Sequence, residues 1–163
     1  RPHNVLGKYQ NIWDRYRNVI GIFIRKTLNG QPILVYGDGE QTRAFSDIKY
    51  YMEPFDCLLT DHDGETFNIG ADKHFTLNEV AETVQAIGLK YGYDVPIEHG
   101  EARHEAKHAY CDHTKAKTLL GFQDNTNLQE LIEEMFVWAM KQPNRKVKDM
   151  PYEITKDIYD YWK

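Results

Sequence analysis

Residues 33–45 of this chain read ILVYGDGEQTRAF. The first four are apolar and follow Gln31-Pro32, which is typical of a short strand, and the two glycines around Asp38 predict a tight turn after it. The turn is followed by Arg43, with an aromatic residue two positions later. The stretch therefore predicts a strand whose end delivers an arginine beside an aromatic ring.

Helical patterns alternate with strand candidates on both sides of this stretch. Apolar spacing predicts a helix from about Arg17 to Asn29, and Thr76 with Glu79 forms a capping box for a helix that continues to Tyr91. Short apolar runs at 66–69 and 95–98 indicate two more strands. Further helical patterns are capped by Ser46, by Asp112 (ending at Gly121), and by Thr126 with Gln129. The pattern is α/β with more helix than strand.

Composition excludes several classes of protein. The chain has 163 residues, of which 41% are hydrophobic, and its 20 Lys+Arg against 25 Asp+Glu give a net charge of −5. An acidic domain of this kind is expected neither at nucleic acid nor at an anionic membrane. With two cysteines, Cys57 and Cys111, it suits a reducing compartment, and we expect a cytoplasmic protein. The chain opens on Arg1 rather than Met, so we interpret it as a fragment.

Several catalytic patterns are missing from the sequence. It contains no Gly-rich phosphate loop after a strand, no Gly-x-Ser-x-Gly and no His-Glu-x-x-His. Tyr152 and Lys156 have the spacing of a Tyr-x-x-x-Lys pair, but they lie in the charged, tyrosine-rich tail at 143–163. We therefore interpret that pair as part of a surface tail, and we predict no catalytic residue in this chain.

Two segments allow a metal interpretation that we do not favour. His104, His108, Cys111 and His113 are all residue types that bind zinc, but their spacing matches no paired-knuckle pattern. Residues 61–64 resemble the start of a calcium loop and lack the later glutamate. We predict no metal site.

Three segments carry polar residues that a plain core does not need: 1–7, 37–45 and 103–112. The second and third each contribute an arginine, Arg43 and Arg103. Two guanidinium groups at one place would suit a diphosphate, because their forked donors match paired oxyanions. Each arginine alone is more often a solvated surface charge.

Taken in order, these segments resemble the C-terminal half of the extended short-chain dehydrogenase/reductase family, especially its NAD-dependent nucleotide-sugar epimerases and dehydratases such as UDP-glucose 4-epimerase. The family's strand-end motif RPFNVYG corresponds to RPHNVLG at 1–7. Its YGDGxQxRxF element corresponds to YGDGEQTRAF at 36–45. FNIG at 67–70 matches a family strand, and Arg103 with DHTKA at 112–116 matches the last element. The resemblance extends to about Gln142.

The resemblance implies a particular fold and division of labour. Residues 1–142 would form the substrate-binding lobe, with residual strands of a truncated Rossmann sheet, and 143–163 a tail packed on or near the lobe surface. NAD and the Tyr-x-x-x-Lys pair would belong to a segment upstream of Arg1. The chain would then be the substrate-binding half of a nucleotide-sugar 4-epimerase, and it would be inactive alone. A dehydratase or decarboxylase of the same family, or a binding-only module, remains as an alternative.

The resemblance also assigns roles to individual positions. It places Arg43 and Arg103 on the diphosphate of a nucleotide-diphosphate sugar, most simply a UDP-sugar, and Glu105 on its ribose. The remaining implied contacts are Asn4 with the diphosphate or sugar, Asn18 and Val19 with the diphosphate, Leu34 and Tyr36 with the base, and Ala109 beside the sugar's 2-substituent. The small side chain of Ala109 suggests room for an N-acetyl group. Because a truncated sheet would leave edges exposed, we also expect a homo-oligomer.

Overall fold

The structure, a computed structural model, describes residues 1–14 and 18–145, and it is an α/β fold of short strands and helices. Its elements in chain order are β1 (Val5–Leu6), α1 (Val19–Leu28), β2 (Ile33–Tyr36), β3 (Thr42–Ala44), β4 (Ser46–Asp47), a 3₁₀ turn (Ile48–Tyr51), α2 (Met52–Thr60), β5 (His74–Thr76), α3 (Leu77–Lys90), β6 (Ile97–Gly100), β7 (His108–Ala109), α4 (Thr114–Leu120) and α5 (Leu128–Met140).

The described strands form three small sheets. Strand β2 pairs in parallel with β6, so that Ile33 lies opposite Ile97 and Tyr36 opposite Gly100. Strand β3 lies between β5, which is antiparallel to it, and β7, which is parallel, and β1 pairs in parallel with β4. Most pairs are parallel, as expected where helices connect the strands.

The strand predictions were partly wrong. The apolar run at 33–36 is a strand with the predicted bounds, but the run at 95–98 forms a strand only from Ile97 onward. The predicted strand at 66–69 is reduced to a single bridge between Pro2 and Ile69. Beside this bridge, the amide of Ile69 donates to the carbonyl of Arg1, the carbonyl of Ile69 accepts from the amide of His3, and the amino terminus donates to the carbonyl of Phe67. Residues 66–69 do not form a strand because their pairing with the segment at 1–3 is limited to this one bridge.

The helix after β4 differs most from expectation. Ser46 does not cap it: its hydroxyl contacts the carbonyl of His3 and the hydroxyl of Tyr51, and Asp47 caps the 3₁₀ turn instead. Pro54 lies in the first turn of α2, where a missing N–H is tolerated, so it produces no kink. The apolar residues of this helical pattern are exposed: Ile48, Met52, Phe55 and Leu59.

Other helix ends follow the sequence more closely. The Thr76–Glu79 capping box is present at α3, and Gly121 ends α4 in the left-handed conformation. The α5 cap is Asn127 rather than Thr126, whose hydroxyl instead accepts from the amide of Asp47. The N-cap of α4 is His113 rather than Asp112. The carboxylate of Asp112, one residue earlier, accepts from the backbone amide of Thr114.

Two clusters of buried side chains hold the elements together. The larger lies between α1, α3, α5 and β2 and contains side chains such as Ile24, Val84 and Met135, each 0% exposed. The smaller surrounds Tyr51, Phe67 and Phe122. The larger cluster places α1 and α3 directly against β2, which positions the cavity described below.

The tail prediction can be compared with the structure only at its start. The indole N–H of Trp13 donates to the carbonyl of Pro143 at 3.2 Å, and the guanidinium of Arg145 lies 4.7 Å from the Trp13 ring centre. Residues 146–163, including Tyr152 and Lys156, lie outside the described residues. Within the described part of the chain, no helix is long and apolar enough to cross a lipid bilayer.

The contact between α1 and α3 depends on Gly88. A Cβ at this position would lie 2.6 Å from Cγ2 of Thr27 and 3.1 Å from the carbonyl oxygen of Tyr93. Glycine in a helix normally weakens it, but here it permits the close approach of a buried threonine.

We therefore expect Gly88→Ala to destabilise the fold by about 1–3 kcal/mol, the usual cost of overpacking, despite the better helix propensity of alanine. Urea denaturation measures the change. The double variant Gly88→Ala/Thr27→Ser removes the offending methyl and should recover much of the loss. An unchanged or raised stability of the single variant would contradict this explanation.

Candidate functional site

A cavity of about 250 Å³ opens between α1, the carboxyl end of β2 and the segment around Arg103. Its lining combines polar and apolar side chains. Its lining residues are Asn4, Asn18, Val19, Ile22, Phe23, Leu34, Val35, Tyr36, Arg43, Phe45, Leu77, Arg103 and Glu105. A concave, largely apolar site with a few converging polar groups is the usual form of a small-molecule pocket.

Backbone strain marks the mouth of this cavity. Asn4 has a φ of 44° and Asn18 a φ of 30°, a region that side-chain-bearing residues rarely occupy. The side-chain amide of Asn18 donates to the carbonyl of Val5, the residue after Asn4, at 3.5 Å, and its oxygen accepts from the amide of Ile20. Strained residues concentrate at functional sites, where the surrounding structure holds them.

Helix α1 presents its N-terminus and one apolar face to the cavity. Asn18 is its N-cap, and Val19, Ile22 and Phe23 lie at helical spacing on the lining face. No acidic residue lies in its first turn. The free amides and the positive end of the helix dipole therefore favour an anion at this edge.

Strand β2 forms the opposite wall. Ile33 and Val35 are buried in the core, whereas Leu34 and Tyr36 are half-buried and face the other way, as the strand alternation requires. The guanidinium of Arg103 lies 3.3 Å from the centre of the Tyr36 ring, a cation–π contact that fixes its plane. The strand thus orients Arg103 although the two residues are far apart in sequence.

Arg43 reaches the same cavity from β3. Its Nη1 donates to the carbonyls of Thr42 at 2.8 Å and Lys107 at 3.4 Å, and its Nη2 donates to Oε2 of Glu105 at 2.6 Å. The other oxygen of Glu105 accepts from Nε2 of Gln41 at 3.2 Å. Arg43 and Arg103 therefore both line the cavity, and the carboxylate of Glu105 is bonded to Arg43 beside them.

His3 lies next to the strained Asn4 and responds to the charge of the cavity. Burial, and secondarily the positive charge of Arg43, lower the pKa of His3 below its usual value of 6.5. Its Nδ1 is buried and has no hydrogen-bond partner among the described residues. Both features favour the neutral imidazole.

The structure brings eight of the nine residues that the sequence singled out to this cavity; the exception is Ala109. Ala109 lies on β7, opposite Arg43 in the strand register, and is not part of the cavity wall. The sequence reading did not single out Ile22, Phe23, Val35, Phe45 or Leu77, which complete the wall. The helical spacing from Val19 could have indicated the first two, and the others depend on how the strands and α3 pack.

The histidine-rich segment forms no metal site in the described part of the chain. No group of three or more His, Cys, Asp or Glu side chains there is placed to hold an ion. His108 contacts the hydroxyl of Thr42 at 2.8 Å, and His113 contacts Asp72 at 2.6 Å, so these rings serve separate local contacts.

Comparison with known proteins identifies the family. The profile of the GDP-mannose 4,6-dehydratase family matches residues 3–135. The chain therefore belongs to this family of nucleotide-sugar epimerases, dehydratases and decarboxylases, which is part of the extended short-chain dehydrogenases.

Individual relatives support the same assignment. The chain is 30% identical over 134 residues to UDP-N-acetyl-alpha-D-glucosaminuronate decarboxylase of Bacillus cytotoxicus, covering 79% of this chain and 42% of that protein. UDP-glucose 4-epimerase of Thermotoga maritima, solved with UDP-glucose, has a TM-score of 0.76 and 27% identity, covering 86% of this chain and 45% of that one. MoeE5, solved with UDP-glucose and NAD, has a TM-score of 0.70 and 27% identity, covering 85% and 45%. The chain thus spans less than half the length of these relatives.

The lowered pKa of His3 predicts a specific pH dependence of stability. Since the unfolded chain protonates near 6.5 and the folded chain only at lower pH, stability is lost as the pH falls through 6.5 toward the folded value. His3→Phe should therefore show a smaller loss of unfolding free energy between about pH 7.5 and pH 5.5 than the parent chain. Urea denaturation at both pH values gives this difference, with exposed His104→Gln as the control. An equal loss in parent and His3→Phe would exclude this role.

Proposed function

We propose that residues 1–142 are the substrate-binding lobe of an NAD-dependent nucleotide-sugar 4-epimerase, and that the ligand is a nucleotide-diphosphate sugar, most simply a UDP-sugar. The observation that carries the proposal is the cavity that Arg43, Arg103 and the N-terminus of α1 line together with apolar side chains. Two cationic forks and a helix N-terminus suit a diphosphate, and the apolar side chains suit a base.

Each part of the cavity then has a role in holding the ligand. Arg43 and Arg103 clamp the diphosphate, and Asn18 with Val19 contributes the helix start. The backbone of β2 at Leu34 and Tyr36 reads the edge of the base by hydrogen bonds. Asn4 contacts the diphosphate or sugar, and Glu105 accepts from a ribose hydroxyl, for which its position between Gln41 and Arg43 is suitable.

The redox chemistry would come from NAD. The sequence has no Gly-rich phosphate loop for a dinucleotide, and MoeE5, of which this chain covers 45%, was solved with NAD. We therefore propose that another part of a longer protein binds NAD. NAD would take a hydride from the sugar and return it, while the residues of this chain hold the nucleotide and exclude water from it. Alone, the chain would bind substrate and be inactive.

A decarboxylase is the second candidate. It is favoured by the 30% identity to a UDP-N-acetyl-alpha-D-glucosaminuronate decarboxylase, and it would hold its nucleotide sugar by the contacts proposed above. The two reactions differ in acid–base groups that we do not assign to this chain. The cavity therefore supports nucleotide-sugar binding equally under either reaction.

Ala109 remains a proposal about the sugar. Its small side chain follows the polar segment that contains Arg103, but it lies outside the cavity wall. We keep the hypothesis that it leaves room for a 2-N-acetyl group beyond the cavity. Equal affinity for UDP-glucose and UDP-N-acetylglucosamine would remove its support.

Two broader proposals follow from the sequence and the exposed surface. The chain would act in the cytoplasm, given its few cysteines. It would associate with copies of itself, because Met52 and Leu59 on α2 are 53% and 83% exposed. Light scattering of the purified chain measures this association, and a strict monomer would contradict it.

The binding proposal is tested by calorimetric titration of the purified chain with UDP. We expect Arg43→Ala and Arg103→Ala each to weaken binding by at least about tenfold, because hydrogen bonds between charged groups are the strong ones in such a site. Lys141→Ala, an exposed cation just after α5, is the matched control and should bind UDP as the parent does. Retained affinity in both arginine variants would overturn the diphosphate clamp. Absence of UDP binding by the parent chain would overturn the binding role of this chain on its own.

A further inference from the structure

Arg43 already uses the groups with which an arginine grips a diphosphate. Its Nη1 is bonded to the carbonyls of Thr42 and Lys107, and its Nη2 to Glu105 at 2.6 Å. A bidentate contact needs two parallel N–H donors of one fork. A phosphate that takes the Nη2 donor now bound by Glu105 must therefore displace that carboxylate.

Glu105 is held on Arg43 by a second residue. Nε2 of Gln41 donates to Oε1 of Glu105 at 3.2 Å and to the carbonyl of Tyr36 at 2.9 Å. Gln41 is only 7% exposed, and its backbone carbonyl accepts from the backbone amide of Leu77 at the start of α3. Gln41 is therefore fixed by β2 and α3, and it keeps the carboxylate within the cavity wall when Nη2 is taken by another anion.

A displaced Glu105 loses the donor on Arg43 and keeps the one on Gln41, and the ligands of the site differ in whether they replace the lost donor with a sugar hydroxyl. Inorganic pyrophosphate has no sugar hydroxyl. A nucleoside diphosphate brings ribose hydroxyl groups next to the same phosphates. A carboxylate that has lost Arg43 repels the neighbouring phosphates, whereas a hydroxyl donor offsets part of that cost.

We propose that Glu105, held by Gln41, is a specificity residue that competes with the diphosphate for Arg43 and is compensated only by a ligand that carries a ribose. The proposal rests on the nucleotide-binding function above and adds a selection step to it. Glu105 thereby weakens the binding of bare polyphosphates more than that of nucleoside diphosphates. Gln41 acts as a positioning residue, since it reaches the ligand only through Glu105.

The test compares two probes, UDP and inorganic pyrophosphate, by calorimetry on the purified chain and on Glu105→Gln. We expect the variant to bind pyrophosphate about three- to fivefold more tightly, the range that a partly exposed ion pair can contribute, and to bind UDP no more tightly than the parent. The ratio of the affinity for UDP to the affinity for pyrophosphate therefore falls. A merely structural role for Glu105 would change both affinities in the same direction and leave their ratio unaltered.

A matched control separates contact from charge. Glu101→Gln removes one negative charge from an exposed residue four positions earlier that does not line the cavity, and it should leave the ratio unchanged. Glu105→Asp keeps the charge but shortens the side chain, so it should favour pyrophosphate to a smaller extent. It also serves as the test if Glu105→Gln does not fold. A fall in the ratio for Glu101→Gln equal to that for Glu105→Gln would overturn the proposal.

Failure of the selection by Glu105 can be distinguished from failure of the proposed nucleotide-binding function. If the parent binds UDP through Arg43 and Glu105→Gln leaves the ratio unchanged, the nucleotide site stands and the selection by Glu105 is wrong. If the parent binds pyrophosphate but not UDP, the nucleotide function of the chain fails, and the compensation by ribose fails with it. Tighter pyrophosphate binding together with unchanged or weaker UDP binding supports both.

Discussion

The parallel pairing of β2 with β6 is the constraint on which the cavity depends. It places Tyr36 opposite Gly100, so the chain that continues from β6 passes over the end of β2 and brings Arg103 onto the Tyr36 ring at 3.3 Å. A Cβ at Gly100 would lie 3.3 Å from Leu34 and 3.4 Å from Tyr36, and glycine thus permits the close approach. Without this register, the two arginines would not share a wall.

Packing around β2 then fixes the remaining wall. The core places α1 and α3 on the strand, and α1 directs its capped N-terminus toward the carboxyl end of β2. The strained backbone at Asn4 and Asn18 is held by this arrangement, with the Asn18 side chain joined to both the β1 carbonyl and the helix start. The fold thus maintains two unfavourable conformations at the place where the polar groups converge, which is typical of binding sites.

The electrostatics of the site combine attraction and competition. Two arginines and a helix N-terminus give the wall positive charge, and the pKa of His3 is lowered first by burial and secondarily by the charge of Arg43. One carboxylate, Glu105, lies inside it and is held by two donors. A purely positive wall would accept any polyphosphate. A wall with one held carboxylate can discriminate among them, because each ligand must offer a partner for that carboxylate as well as for the arginines.

The sequence by itself determined what depends on local chemistry. The apolar run before a Gly-Asp-Gly turn gave β2 its bounds, and the Thr76–Glu79 pair gave the start of α3, since caps and turns are satisfied by residues a few positions apart. The motifs at 1–7, 36–45 and 103–116 also indicated the family, and the resemblance to that family assigned roles to eight residues that line one cavity.

Only the tertiary structure decided what depends on distant partners. The run at 66–69 lacks a long neighbouring strand and forms a single bridge, and the apolar stripe of α2 is exposed because no described element covers it. Gln41, 7% exposed, and the ion pair of Arg43 with Glu105 join residues about sixty positions apart, which no local pattern specifies. Such contacts are set by strand register and helix packing, and so they follow from the assembled fold rather than from any segment of it.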